Sequence, residues 1–203
     1  MKRRIVLAFA PLVLASCGYN RIQQYDENAQ QAKQQISVQL QRRADLVPNL
    51  VNTVKGYAQH EEAVFTQVAA ARGALTGAIQ GGDPTQMAAA NAQLTGALGR
   101  LIAVAEAYPQ LKADQGFLRL QDELAGTENR IATARNDYNQ AVQTYNAYIR
   151  TFPQALTAKV TGAKARTYYE AAPGSETAPT VDFGTNKTPA PATGSTPSAP
   201  RSP

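Results

Sequence analysis

Residues 114–153 read DQGFLRLQDELAGTENRIATARNDYNQAVQTYNAYIRTFP, and the fold follows from the pattern in this stretch. Apolar or small side chains recur there every seven residues, and a second row follows three positions after the first. The pattern predicts one long amphipathic helix that begins near Asp114, is stopped by Pro153 and packs lengthwise against other helices. The first row is Phe117, Leu124, Ile131, Tyr138, Tyr145 and Phe152, and the second row is Leu120, Thr127, Ala134, Ala141 and Tyr148.

Two further regions have helical patterns. Asp83 and Pro84 have the residue types of an N-cap and a first helical position, and Pro109 ends the helix that follows. Upstream, apolar residues keep a spacing of three to four from residue 22 to residue 79, interrupted by Pro48. Pro48 either kinks one continuous helix, which we favour, or lies in the first turn of a separate helix capped by Asp45. We therefore expect an all-α fold, an elongated bundle of three long helices, or of four if Pro48 separates two.

The N-terminus resembles a bacterial lipoprotein signal. Basic residues 2–4 precede an apolar run over residues 5–14, which is shorter than the roughly 20 residues that span a bilayer. The run leads into LASC at residues 14–17, which is similar to a lipobox. The resemblance implies cleavage before Cys17, palmitate-type lipidation of Cys17 and a membrane tether. The alternative is an uncleaved or conventionally cleaved signal in which the cysteine is incidental.

Composition restricts the function. Loss of basic residues 2–4 lowers the formal net charge from +5 to +2, so we expect no nucleic-acid partner. The single cysteine permits no intramolecular disulfide. The lone histidine, His60, lies in a Gln-His-Glu-Glu sequence that is too weak a signal for a metal site. No motif for a nucleophile or a phosphate-binding loop is present, so we expect no catalytic residues, no metal and no cofactor.

The chain divides into four parts on these patterns. Residues 1–16 are the signal peptide, and residues 17–21 are the anchor and a short linker. Residues 22–173 form the helical domain. Residues 174–203 form an extended segment and a tail rich in Pro, Ser and Thr, which we expect to be disordered because it has too little apolar surface to offset the entropy of ordering.

Several stretches resemble the LemA family of bacterial proteins. They are QLQRRADLVPNLV at residues 39–51, LTGALGRL at 94–101, TENRIA at 127–132 and VDF at 181–183. The resemblance implies a bundle of long antiparallel helices, tethered by its N-terminus to a bacterial envelope membrane, without a known catalytic activity. Many relatives begin with a longer transmembrane segment, whereas the shorter run ending in Cys17 favours a lipid anchor.

Two sets of polar residues in the family-like stretches are candidates for a binding site. In a helix, Arg42, Asp45 and Asn49 share one side. Either the two sets form a partner-binding patch, or they tie helices together, with Glu128 pairing with Arg42 or Arg43 across the bundle. The candidates are Arg42, Arg43, Asp45, Asn49 and Lys55 in the first set and Glu128, Arg130 and Arg135 in the second.

Tyrosines on the long helix give a further candidate site. Tyr138, Tyr145 and Tyr148 lie on its apolar stripe, where they could line a groove for a peptide or lipid or complete the core with their hydroxyls at its rim. Residues 155–169 combine apolar side chains with Lys159, Lys164 and Arg166, a composition compatible with membrane binding.

The expected function is that of a non-enzymatic, membrane-tethered helical module that faces outside the cytoplasm and organises or binds other molecules. Its expected partners are the membrane, through the lipid or an uncleaved N-terminal segment, an unidentified envelope protein, and a second copy of the chain. One alternative is a metal-assisted hydrolase whose carboxylates are brought together by the fold. Another is a peripheral protein that binds or remodels membranes.

Overall fold

The computed structural model describes the backbone of residues 2–170 and the side chains of residues 18–170. Within that range the chain is helical except for short connections and an extended end at residues 163–170. The predicted all-α fold is confirmed. The helices are α1 (Lys2–Lys55), α2 (Glu62–Gly81), α3 (Pro84–Glu106), α4 (Pro109–Lys112), α5 (Gln115–Tyr148) and α6 (Gln154–Thr161).

Helices α1 and α5 pack against each other along most of their described length, and they run antiparallel. Three contacts show the direction, because the residue number on α1 rises as its partner's number falls. The rings of Tyr25 and Tyr148 lie 5.1 Å apart in an edge-on contact. Arg43 pairs with Glu128 near the middle, and beyond the end of α1 the Tyr57 hydroxyl donates to Asp114 Oδ2 at 3.1 Å.

The heptad row of α5 is buried as the sequence predicts, from Phe117 through Tyr145. Asp114 caps the helix by accepting a hydrogen bond from the backbone N–H of Phe117 at 2.8 Å. Phe152, the last expected member of the row, lies beyond the end of the helix and is 79% exposed. The prediction for Phe152 is therefore wrong, because α5 ends four residues earlier, at Tyr148.

Pro48 does not interrupt α1, as the favoured interpretation expects. A proline in a helix leaves the carbonyl four residues earlier without its usual donor. That carbonyl belongs to Ala44, and it accepts a hydrogen bond from Nε of Arg72 on α2 at 2.8 Å. The chain leaves the helix at residues 56–61 instead, beginning at Gly56, so α1 and α2 are separate and the described part of the chain has four long helices.

Helices α2 and α3 form a hairpin that packs on α1. Gly82 closes α2 with φ of 70°, a left-handed conformation that glycine adopts without strain. Asp83 then caps α3 by accepting from the backbone N–H of Thr85 at 2.9 Å, and Pro84 is the first helical residue. Both predicted boundaries of α3 are confirmed, since it ends at Glu106, just before Pro109.

The chain ends, within the described range, in α6 and an extended segment. Gly162 closes α6 with φ of 72°, and residues 163–170 then run back along the bundle. We call residues 163–170 the strap. The predicted tail at residues 174–203 and the side chain of Cys17 lie outside the described residues. No helix in the described part of the chain has both the length and the apolarity needed to cross a membrane.

Candidate functional site

A buried polar junction joins three helices at Arg43. Arg43 on α1 is only 5% exposed, and its Nη1 donates to Oδ1 of Asn91 on α3 at 2.7 Å. The same nitrogen forms an ion pair with Glu128 on α5, whose side chain is 46% exposed. The sequence suggested that Glu128 pairs with either Arg42 or Arg43, and in the structure its partner is Arg43. Burial lowers the pKa of Arg43, and the negative charge of Glu128 opposes that effect.

Tyr169 of the strap lies at the edge of this junction. Its side chain is 3% exposed, and its hydroxyl has no hydrogen-bond partner among the described residues. Burial raises the pKa of Tyr169 to about 12, while the positive charges of Arg135 and Arg43 act in the opposite direction. The half-buried Arg135 thus lies close enough to the strap for its charge to act on the Tyr169 hydroxyl.

The remaining members of the first predicted set lie on the surface. Arg42 forms a 3.6 Å ion pair with Glu123 in which both side chains are about half exposed. Asp45 accepts from Nε2 of Gln41 at 2.8 Å on the exposed side of α1. Lys55 lies over the ring of Phe65 at 5.2 Å from its centroid.

Part of the predicted patch lines an open cleft between α1 and α5. Its volume is about 710 Å³, and its wall includes Arg42, Asn49 and Arg130. Arg43, by contrast, is directed into the core between helices. The structure therefore divides the predicted patch into a buried junction, an exposed cleft and the separate Lys55–Phe65 contact.

Two of the three candidate tyrosines, Tyr138 and Tyr145, are buried beneath the chain's own strap, which lies in a groove between α1 and α5. The hydroxyl of buried Tyr138 donates to the backbone carbonyl of Thr167 at 2.7 Å. The ring of Tyr145 lies beneath the guanidinium of Arg166, at 6.0 Å. Tyr148 contacts the ring of Tyr25 instead. It packs against a small separate cluster of buried side chains, formed by Ile22, Tyr145, Ile149 and Ala158.

Two asparagines of α5 hold the backbone of the strap. Asn146 accepts from the N–H of Arg166 at 2.8 Å and donates to the carbonyl of the same residue at 2.9 Å. Asn139 makes the same pair of hydrogen bonds with Tyr169, at 2.9 and 3.1 Å. Each side-chain amide thus binds one residue as a neighbouring β-strand would.

An acidic pocket on α1 holds the side chain of Arg166. Its Nε and Nη2 donate to the two carboxylate oxygens of Asp26 at 2.7 and 2.9 Å, and its Nη1 donates to Oε1 of Gln30 at 3.2 Å. These hydrogen bonds raise the pKa of Arg166 and lower the pKa of Asp26. A bidentate pair of this kind fixes orientation as well as charge.

Of the residues that contact the strap, sequence reasoning had singled out Tyr138 and Tyr145 but not the two asparagines or Asp26. Asparagine is a poor helix former, but α5 has two pairs of asparagines one heptad apart, Asn129 with Asn136 and Asn139 with Asn146, so spacing alone did not mark the second pair. The grouping of Arg166 with Lys159 and Lys164 as cations for membrane binding is wrong for Arg166, because its guanidinium is paired with Asp26.

The titratable groups of the described residues do not form a metal site. Among residues 18–170, no three His, Cys, Asp or Glu side chains lie close enough together to hold a metal ion. Two aspartates have lowered pKa values, and both have structural partners. Asp26 binds Arg166, and exposed Asp114 caps α5 and accepts from Tyr57.

Comparison with known proteins connects this architecture to a family. The LemA family model matches residues 32–183, which covers most of the helical bundle and the strap. Two proteins of Paramagnetospirillum magneticum strain AMB-1, described as magnetosome proteins MamQ 1 and MamQ 2, are each 30% identical to this chain over 197 residues. Those alignments cover 85% of this chain and 71% of each relative.

A third relative is magnetosome protein MamQ of Magnetospirillum gryphiswaldense strain MSR-1. It is 28% identical over 182 residues, covering 78% of this chain and 67% of the relative. None of these descriptions names an enzyme or a reaction. The family match extends from the middle of α1 past the end of the strap. This protein therefore belongs to the LemA family.

Proposed function

We propose that this protein is a non-enzymatic helical module of the bacterial envelope, tethered to a membrane at Cys17 and facing outside the cytoplasm, where it binds and organises partners. Membership of the LemA family and similarity to magnetosome proteins support a role of this kind. The acidic groups with lowered pKa values have structural partners, so no observation favours the hydrolase alternative.

The observation that carries this proposal is the position of α6. Gly18 follows the candidate lipidation site directly, and α6 packs against α1 at that point. A β-carbon at position 18 would lie 3.4 Å from Oγ1 of Thr157 on α6. Any group that holds Cys17 at a membrane surface would therefore also hold α6 close to that surface.

The outer face of α6 has the chemistry of a membrane interface, which favours peripheral membrane binding as a second activity. Leu156 and Val160 are 60% and 88% exposed and lie one helical turn apart, and exposed Phe152 lies in the connection just before α6. Lys159 is exposed beside them. Apolar side chains that enter the headgroup region, together with cations that attract anionic lipids, bind a helix to the surface of a bilayer.

The tether is tested by metabolic labelling of cells that express the full chain with a palmitate analogue. We expect label on the wild-type chain, and we expect Cys17→Ser to abolish it and to reduce the membrane-bound fraction. Label that persists at the wild-type level in Cys17→Ser would exclude lipidation at this residue.

The role of α6 is tested by flotation of the full chain, in a Cys17→Ser background, with vesicles that contain anionic phosphatidylglycerol. We expect Leu156→Glu with Val160→Glu to weaken binding by tenfold or more, since about 1.4 kcal/mol of lost apolar burial suffices for that factor. The matched control is Val38→Glu, which changes a 61% exposed valine on α1. An equal effect of the two variants would remove α6 from the membrane contact.

A further inference from the structure

We propose that the groove between α1 and α5 is a binding site for an extended peptide that carries arginine and, three residues later, tyrosine, and that the strap of a second copy of this chain is its ligand in trans. In the structure the chain's own residues 163–170 occupy this site. The proposal goes beyond the membrane-tethered role and does not depend on lipidation.

The backbone of the ligand is recognised by the two asparagines. Because Asn139 and Asn146 each bind both the N–H and the carbonyl of one strap residue, they select an extended conformation and not a side chain. The asparagines thus make four hydrogen bonds to the strap backbone, and the hydroxyl of Tyr138 adds a fifth, to the carbonyl of Thr167.

The spacing of the two asparagines matches that of the ligand. One heptad of helix spans about 10.5 Å, and three residues of extended chain span about 10 Å. Asn146 can therefore bind Arg166 while Asn139 binds Tyr169, with the strap antiparallel to α5. An extended segment from any source fits the two amides in the same register.

The side chains of Arg166 and Tyr169 provide the specificity. Arg166 enters a pocket formed by Asp26, Gln30 and the ring of Tyr145. Tyr169 is buried among the residues of the main core. The strap residues between and beside them, such as Lys164, Thr167 and Tyr168, have exposed side chains. The site therefore recognises the side chains of two residues, Arg166 and Tyr169, which are three positions apart.

The strap can leave the groove without unpacking the helix that precedes it. Gly162, in the left-handed conformation, separates α6 from the strap. Helix α6 has its own attachment, because Ala158 packs with Ile22, Tyr145 and Ile149 in a separate buried cluster. Exchange of the strap between two copies would keep every contact of the site and change only the path of the chain near Gly162.

The second copy is the ligand source we infer, because every copy carries a strap that matches the groove in charge and register. A cis strap competes at an effective concentration in the millimolar range. Exchange is therefore expected when copies are concentrated, or when the cis contact is weakened.

A charge swap between groove and strap tests the exchange. The full-length chain, with Cys17→Ser, is prepared in mild detergent as Asp26→Arg and, separately, as Arg166→Asp. In the first variant the groove presents a cation to the chain's own Arg166, and in the second the strap presents an anion to the chain's own Asp26. After mixing, each groove matches the strap of the other variant.

We expect native mass spectrometry to show a 1:1 heterodimer in the mixture, at least tenfold more abundant than any dimer of either variant alone. The matched control is the double variant Asp26→Arg with Arg166→Asp, which restores the cis pair and should remain monomeric. Monomers in the mixture, with both variants helical by circular dichroism, would overturn the proposal. Equal dimerisation of the double variant would also overturn it.

A peptide experiment covers the case in which a charge-swap variant does not fold. A fluorescein-labelled peptide with the sequence of residues 163–170, AKARTYYE, is titrated into the full chain carrying the milder change Arg166→Ala, with fluorescence anisotropy as readout. We expect saturable binding, and at least tenfold weaker binding when the peptide's arginine is replaced by aspartate. Equal binding of a scrambled peptide would show that the groove does not recognise this ligand.

Discussion

Arg43 lies in a heptad row of α1 whose other described members are Ile22, Ala29, Ile36 and Leu50, all buried and apolar. A buried guanidinium is costly unless it is paired. Here Asn91 and Glu128 provide the pairing from two different helices. The junction therefore fixes the register of three helices at one level, which an apolar side chain at position 43 would not do.

The two partners of Arg43 should differ in their effect on stability. We expect Glu128→Gln to lower the free energy of unfolding by about 2–4 kcal/mol, because it leaves a buried cation without its counter-charge. Arg43→Met combined with Asn91→Leu should cost less, about 1 kcal/mol, because it removes the cation and its buried acceptor together while half-exposed Glu128 can turn to water. Urea unfolding followed by circular dichroism gives both values. A larger cost for the double variant would contradict this account.

At the residue scale, sequence predicted side chains whose partners lie close in the chain. Asp83 and Asp114 are caps whose hydrogen bonds reach two and three residues ahead, so their roles could be inferred from local order. Arg43 appeared in the sequence only as one of a group of charges. Its burial follows from the row at intervals of seven on α1, and its partner Asn91 lies 48 residues away in sequence.

Helix α1 carries a proline in its interior, and a neighbouring helix compensates for it. Pro48 leaves the carbonyl of Ala44 without an intrahelical donor, and Arg72 of α2 donates to that carbonyl. Arg72 occupies a position in the apolar row of α2, between Val68 and Leu75, which places it toward α1. The proline and the arginine therefore form one structural unit across two elements.

A double-mutant cycle tests this unit. Arg72→Met should lower the free energy of unfolding by about 1.5–3 kcal/mol, since a buried carbonyl loses a charged donor. In a Pro48→Ala background the same change should cost at least about 1 kcal/mol less, because alanine brings an N–H to the position and restores the helical hydrogen bond. Thermal and urea unfolding of the four chains measure the coupling. Strictly additive costs would show that the two residues act separately.

The asparagine contacts of the strap give a prediction for its local stability. Asn146→Ala removes the acceptor of the Arg166 amide, so we expect that amide to exchange its hydrogen with solvent about tenfold faster, as loss of one hydrogen bond implies. Asn136→Ala is the matched control, since it changes an exposed asparagine on the same helix. Hydrogen–deuterium exchange of residues 163–170 compares them. Equal exchange in the two variants would mean that Asn146 does not hold the strap.

At the element scale, the long helices could be predicted because their periodicity is strong and their ends carry proline, glycine or aspartate. The strap could not be predicted from such signals, since an extended segment of eight residues has no helical period. Its contacts also reach far along the chain: Arg166 and its partner Asp26 are 140 residues apart. The break at residues 56–61 was missed because Pro48 is a stronger helix breaker than Gly56, and the interruption was assigned to the proline.

At the scale of the whole molecule, the strap connects the last described residues of the chain to the first part of α1 through Arg166 and Asp26, and we expect its attachment to depend on pH. The raised pKa of Tyr169, about 12 against an ordinary value of 10.0, belongs to the folded state. Its contribution to stability is therefore fully present below pH 10 and is lost as the pH rises through about 12. Deprotonation of a buried phenol would expel Tyr169 and with it the end of the strap.

Alkaline unfolding measures this contribution. We expect the free energy of unfolding of the wild-type chain to fall more steeply than that of Tyr169→Phe between pH 10 and 12, by about 2–3 kcal/mol over the interval. At pH 7, Tyr169→Phe should be as stable as wild type or slightly more stable, because the hydroxyl has no hydrogen-bond partner. Tyr19→Phe, at an exposed tyrosine, is the control. Parallel pH profiles for wild type and Tyr169→Phe would contradict the prediction.

The way in which α5 holds the strap has a consequence for the evolution of the surface. Asn139, Asn146 and Tyr138 bind amide groups that every residue except proline presents alike. We therefore expect substitutions other than proline at the outward positions 164, 165, 167 and 168 to leave the attachment intact. This stretch can accumulate sequence changes, and new surface properties, at almost no cost to the fold, while Arg166 and Tyr169 keep it in place.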